Sequence, residues 1–152
     1  MKARLAGLFA ALTITAGTVL TGAAAAQAAT PAVQFTRIQF DSPGKDTRTN
    51  ASLNAEWVRL TNKTKKTINL KNWTVRDRAG KIYKFPSYNL GAAKNVYIHT
   101  GKGTNGKPTA ADRYWQSGNY IWNNTGDAAT LRDGGNRTID SCSWTKGTVT
   151  AC

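Results

Sequence analysis

The chain has 152 residues, with 21 Lys or Arg against 8 Asp or Glu, a net charge of +13, two cysteines and one histidine. That length suits one domain and is too short for two with a linker. One histidine and two cysteines supply no His/Cys cluster for a zinc centre, and the positive charge favours anionic partners without saying anything about fold.

Residues 1–28 read as a secretory signal peptide. Lys2 and Arg4 form a short positive start, Leu5 to Leu20 is mostly apolar and uncharged, and Ala26-Gln27-Ala28 fits an A-x-A cleavage site. The apolar run is short of the ~20 residues a spanning helix needs, and no later stretch is apolar enough to cross a bilayer. The expectation is a secreted, extracellular protein whose domain covers residues 29–152. Loss of Lys2 and Arg4 leaves 19 basic and 8 acidic residues, a net charge of +11.

From Val33 onward the chain shows period-two alternation and no sustained helical periodicity, which predicts an all-β domain of seven to nine strands. Val33 and Phe35, then Ile38 and Phe40, alternate with polar residues, and the slip between Phe35 and Ile38 predicts a bulge. Ser42-Pro43-Gly44-Lys45 ends this first run. Val58 and Leu60 alternate next, and the polar link from Asn62 to Lys66 suits a hairpin. Trp73 and Val75 lead into Arg78-Ala79-Gly80-Lys81, a second hairpin turn before Tyr83. Val96 and Ile98 form another strand, and Thr100 to Asp112, rich in Gly, Lys, Asn and Pro, reads as a long surface loop. Asp133-Gly134-Gly135-Asn136, between Leu131 and Ile139, is the strongest turn signal in the chain. Strands at about ten-residue spacing with turns between them suit a sandwich or barrel.

Several of these segments form an ordered pattern. It opens with Glu56-Trp57-Val58-Arg59-Leu60-Thr61-Asn62 and continues with Asn72-Trp73-Thr74-Val75-Arg76-Asp77, Gly80 and Tyr83-Lys84-Phe85-Pro86. Leu90-Gly91 and Val96-Tyr97-Ile98 keep the spacing, and the pattern closes with Trp122-Asn123-Asn124-Thr125-Gly126-Asp127 and Ala128 to Leu131. The whole resembles the lamin tail domain family over roughly Val33 to Trp144, and the Gly126-Asp127 step looks like the bacterial secreted type. The resemblance implies an immunoglobulin-like antiparallel β-sandwich, no catalytic activity of its own and a role as an interaction surface. It also favours packing roles for Trp73, Trp115 and Trp122.

Catalytic signals are weak. His99 alternates out of phase with Val96 and Ile98 and reads as a strand-end polar residue, and no nucleophile motif stands near a base. The eight acidic residues are scattered. Glu56 reads as structural, and Asp127 and Asp133 read as turn residues. No catalytic residue, metal site or cofactor is expected. Tyr114, Trp115, Tyr120 and Trp122 offer flat faces that stack on sugars or bases, although large aromatics more often seal the core of a small β-domain. Cys142 and Cys152 admit one internal disulfide, with free thiols or an intermolecular bridge as the alternatives.

The basic residues carry the functional expectation. Arg76, Arg78, Lys81 and Lys84 surround one predicted hairpin and are candidate anion-binding residues, with period two placing Arg76 and Arg78 on one side. Lys63, Lys65 and Lys66 make a second group, and Lys102 and Lys107 a third. Such groups contact phosphates of polymers, or simply form a solvated face that blunts an edge strand. The expected function is a secreted non-catalytic binding module for an extracellular anionic polymer: nucleic acid, teichoic acid or cell wall. A protein–protein interaction domain and a small secreted inhibitor are the alternatives.

Overall fold

The computed structural model describes residues 29–152, so the expected signal peptide lies outside the described residues. Eleven short strands and one helix follow in order: β1 Val33–Gln39, α1 Asn50–Ala55, β2 Trp57–Asn62, β3 Ile68–Asn69, β4 Thr74–Arg76, β5 Ile82–Lys84, β6 Asn89–Leu90, β7 Asn95–His99, β8 Asp112–Tyr114, β9 Asp127–Arg132, β10 Thr138–Trp144 and β11 Val149–Thr150. One sheet has the order β11-β1-β2-β7-β8, a second β10-β9-β4-β5, and β3 pairs with β6 as a small third ladder.

Alternation decides what faces inward. Val33, Phe35 and Ile38 on β1, Val58 and Leu60 on β2, and Val96 and Ile98 on β7 are buried. Val75, Tyr83, Ala129, Leu131, Cys142 and Trp144 of the second sheet share one core with them. The expected slip in β1 is a register shift between Phe35 and Arg37, which keeps Phe35 and Ile38 both inward although they are three positions apart. A file of aromatic contacts runs through this core. Phe40 stacks on Trp144 at 4.8 Å, followed by Trp144–Trp122, Trp122–Trp115, Trp115–Tyr83 and Tyr83–Phe85. Trp115 and Trp122 are packing residues, and Trp73 is partly buried against the same cluster.

Several local expectations hold and others change. The hairpins β4–β5 and β9–β10 are antiparallel, as their turns predict. Gly80 takes φ +90° between β4 and β5, a conformation that costs glycine little. The link after Asn62 does not make a hairpin: β2 pairs with β1 and β7, while the chain beyond it crosses to β3 and pairs with β6. The buried Asn62 side chain organises that crossing. Its Nδ2 donates to the carbonyls of Lys66, Leu90 and Gly91, and its Oδ1 accepts from Thr64 N and Oγ1. The pairing of β7 with β8 is parallel, the one such pair in the described sheets. The strand count exceeds the expected seven to nine because β3, β6 and β11 are two-residue ladders with no alternation to read.

The helix α1 has no counterpart in the sequence expectation. Thr49 caps it, accepting from Ser52 N at 3.3 Å, and Leu53 is its one buried residue. Six residues with one inward side chain are too few for a helical period to show. Its Asn50 and Asn54 amides both donate to Lys102 O, closing over Gly101, where an added Cβ would lie 2.6 Å from Asn54 Oδ1.

Candidate anion-binding face

The inward positions of β4, β5 and β9 are Val75, Tyr83 and Leu131, so their neighbours face outward. Direct pairing sets Lys84, Thr74 and Arg132 in one row across three strands, and Ile82, Arg76 and Thr130 in the next. This outer face forms a shallow depression of about 430 Å³ lined by Thr74, Arg76, Lys84, Asn136 and their neighbours. One side of it is the edge strand β5, where Ile82 remains 47% exposed.

Of the four basic residues expected to act together, Arg76 and Lys84 do share this face. Arg78 does not follow the period-two reading: β4 ends at Arg76, Asp77 is buried, and Arg78 stands in the turn with its N–H on Asp127 Oδ1. Lys81 also leaves the group, because its ammonium donates to Tyr120 O at 3.1 Å. Arg132 takes their place. Parity within β9 gives its outward direction, but only the pairing of β9 with β4 brings it beside Thr74 and Arg76.

Arg76 Nη2 and Arg132 Nη1 both donate to Asn136 Oδ1, at 3.1 and 3.3 Å. Two like unit charges brought to one acceptor repel by about 1–3 kcal/mol at effective dielectric constants of 20–80. A neutral amide oxygen relieves little of that. Among the described residues the ion pairs are His99–Asp112 and Arg137–Asp133, so neither Arg76, Arg132 nor Lys84 has a carboxylate partner. Asp133 lines the same depression but is committed to its turn. Its Oδ1 accepts from Gly135 N and Arg137 N, and its Oδ2 meets Arg137 Nη2 at 2.7 Å. Those bonds, the Arg137 N–H first, hold its carboxyl below the usual range.

The remaining polar groups build structure. Glu56 is buried, and its Oε1 accepts from Thr100 Oγ1, Ile121 N and Trp122 N, while Oε2 has no partner. Burial pushes its carboxyl up to about 7 against the lowering effect of those bonds. His99 is part of a clamp: Nε2 meets Asp112 Oδ1 at 2.9 Å, Nδ1 meets Asn54 O at 2.8 Å, and Tyr114 stacks on the ring. Burial raises the Asp112 carboxyl, but hydrogen bonds from Thr109 and His99 outweigh it and leave the group below its usual range. No Ser, Thr or Cys nucleophile bonds to His99, and among the described residues no group of three His, Cys, Asp or Glu comes together to hold a metal.

Cys142 and Cys152 are disulfide-bonded, with Cα atoms 5.7 Å apart. Cys142 lies on β10 of the second sheet, and Cys152 follows β11 at the edge of the first, so the bond ties the two sheets together. No helix among the described residues is long and apolar enough to cross a membrane.

A search among curated proteins found no match for the chain. The profile of the Lamin Tail Domain family matches residues 26–146, a span that contains every strand from β1 to β10. That family is one of immunoglobulin-like interaction domains, generally without enzymatic activity. With its two facing sheets, its aromatic core and the family match over most of its length, the chain belongs to the Lamin Tail Domain family.

Proposed function

We propose that the protein is a secreted, non-catalytic binding module that holds an extracellular anionic polymer against the outer face of its second sheet. The observation that carries this reading is the group of Arg76, Arg132 and Lys84 on two adjacent rows of this face, none of them paired with a carboxylate among the described residues. Attraction from several fixed cations favours a polyanion over a small ligand, and its strength falls steeply with salt.

Titration of the mature, oxidised protein with DNA, teichoic acid and purified cell wall across a salt series tests the reading. Tight binding to one polymer with a steep salt dependence is expected. Replacing Arg76, Lys84 and Arg132 together by Gln is expected to lower the slope of log K against log salt by about 2–3. Equal weak binding to every polymer, unchanged in the triple variant, would overturn it. Export has its own test: protein recovered from the medium should begin at Ala29, and an intact Met1 start on cell-associated protein alone would overturn it.

A second reading rests on β5. Among the described residues it pairs only with β4, and its exposed Ile82 lies on an edge to which an extended peptide can add. A protein partner held there would bind with fixed stoichiometry and little salt dependence, which separates the two readings in the same titration.

A further inference from the structure

Two guanidinium groups from different strands meet at a single oxygen. Arg76 and Arg132 both donate to Asn136 Oδ1, and the Arg132 Nε donor is buried without any acceptor. That Nε lies beneath the surface, so a ligand meets the pair through its Nη groups, of which Arg76 Nη1 and Arg132 Nη2 make no hydrogen bond among the described residues. Lys84 stands in the same row as Arg132, across Thr74, and lines a depression together with Arg76 and Asn136. The nearby carboxylate, Asp133, is matched by Arg137.

We propose that this point is a subsite for one phosphate-type oxyanion, with Asn136 Oδ1 standing where one of its oxygens binds. The proposal rests on the anionic-polymer reading and narrows the polymer to one carrying phosphodiester groups. A phosphodiester presents two non-bridging oxygens under a single negative charge, and each guanidinium offers a planar fork of N–H donors to one of them. The Lys84 ammonium adds a third charge without fixed geometry. Asn136 is exposed and sits in the β9–β10 turn at φ +66°, so its side chain can swing aside while the hairpin stays paired.

The test uses inorganic phosphate, titrated into isotope-labelled protein at constant ionic strength while the Arg132 Nε–H and Asn136 amide resonances are followed. Saturable one-site shifts are expected, with acetate about tenfold weaker. Asn136→Asp places a carboxylate between the two guanidinium groups, so it should weaken phosphate binding about tenfold or more while raising the melting temperature. Asn136→Gly keeps the turn geometry and should bind phosphate at least as well as the wild type. Non-saturating shifts spread over the lysines, or phosphate binding by Asn136→Asp equal to wild type, would overturn the subsite.

Single-stranded DNA and polyglycerol phosphate, both diester polymers, supply the second arm. An equal loss on both in Asn136→Asp supports the subsite, and the tighter of the two in the wild type identifies the source. Polymer binding that is the same in wild type and Asn136→Asp removes the subsite and leaves the general polymer reading standing. Saturable phosphate binding with no polymer binding does the reverse.

Discussion

Glu56 Oε1 accepts the backbone N–H of Ile121 at 2.9 Å across 65 residues of chain, tying the entry of β2 to the segment that carries Trp122 into the core. The bond spares a buried N–H the cost of lying unpaired, but it places a carboxyl where ionisation is unfavourable. The folded value of about 7 is above the ordinary 4.5. The folded state therefore holds the proton more tightly, and the stability linked to it is complete below the ordinary value and is lost as pH rises through about 7. Wild-type stability is expected to fall by about 3 kcal/mol at most across that window. Glu56→Gln keeps an accepting oxygen and should flatten the slope. Chemical denaturation at pH 5 and pH 8 measures it, and equal slopes in both proteins would remove Glu56 as the cause.

Asn62 makes a similar long-range tie without charge. Its amide satisfies the carbonyls of Lys66, Leu90 and Gly91 at one buried point. Asn62→Ala is expected to cost about 2–4 kcal/mol, because three acceptors lose their donor. Asn62→Asp is expected to be worse, since it faces a carboxylate with carbonyl oxygens. Urea midpoints for the two variants check the order, and an aspartate variant as stable as the alanine one would contradict the assignment.

The sandwich was legible because Val58, Leu60, Val96, Ile98, Ala129 and Leu131 alternate cleanly and glycine turns separate their strands. The two-residue ladders β3 and β6 were not, since a pair such as Ile68–Asn69 has no period. Nor was the parallel placement of β8, which depends on how the 101–111 loop returns rather than on the sequence of Asp112–Tyr114. At the basic face, Arg76 and Lys84 could be found from their hairpin. Arg132 and Asn136 lie 48 to 60 residues further along, and only the β4–β9 pairing brings them in. Period two grouped Arg78 with Arg76, but β4 ends at Arg76 and Lys81 precedes β5, so both side chains lie off the shared rows.

The clamp at His99 should govern the 101–111 loop. Asp112 accepts from Thr109 N and Oγ1 as well as meeting His99, so one carboxylate fixes both ends of the loop's return. Its folded value is lowered, so its stabilisation is present above the ordinary carboxylate value and is lost as pH falls through the folded one. Asp112→Asn should speed hydrogen exchange at Gly106 and Asp112 N, whose bonds close the loop, while exchange in β2 and β9 is unchanged. It should also remove part of the acid limb below about pH 4. Unaltered loop exchange in the variant would show that the backbone holds the loop without the clamp.

Cys142–Cys152 joins the edges of the two sheets, and β11 pairs with β1 through only Ile38–Thr150 and Gln39–Val149. So short a ladder gains little from its own hydrogen bonds, and the covalent tie limits the freedom of the unfolded tail. In the loop-entropy account, closing a loop of this length contributes about 3 kcal/mol. Cys152→Ser is expected to lose about that much, with exchange rising first at the amides of Phe40 and Asp41, which donate to Thr148 O. The core of β2, β7 and β9 should stay the best-protected part, its protection falling by no more than that global loss, because the aromatic file from Trp144 to Tyr83 does not depend on Cys152. Reduction of the wild type should reproduce the variant. Equal loss at Phe40, Asp41 and the core amides, with no earlier opening at the edge, would show that the bond acts only on global unfolding and does not hold the edge it closes.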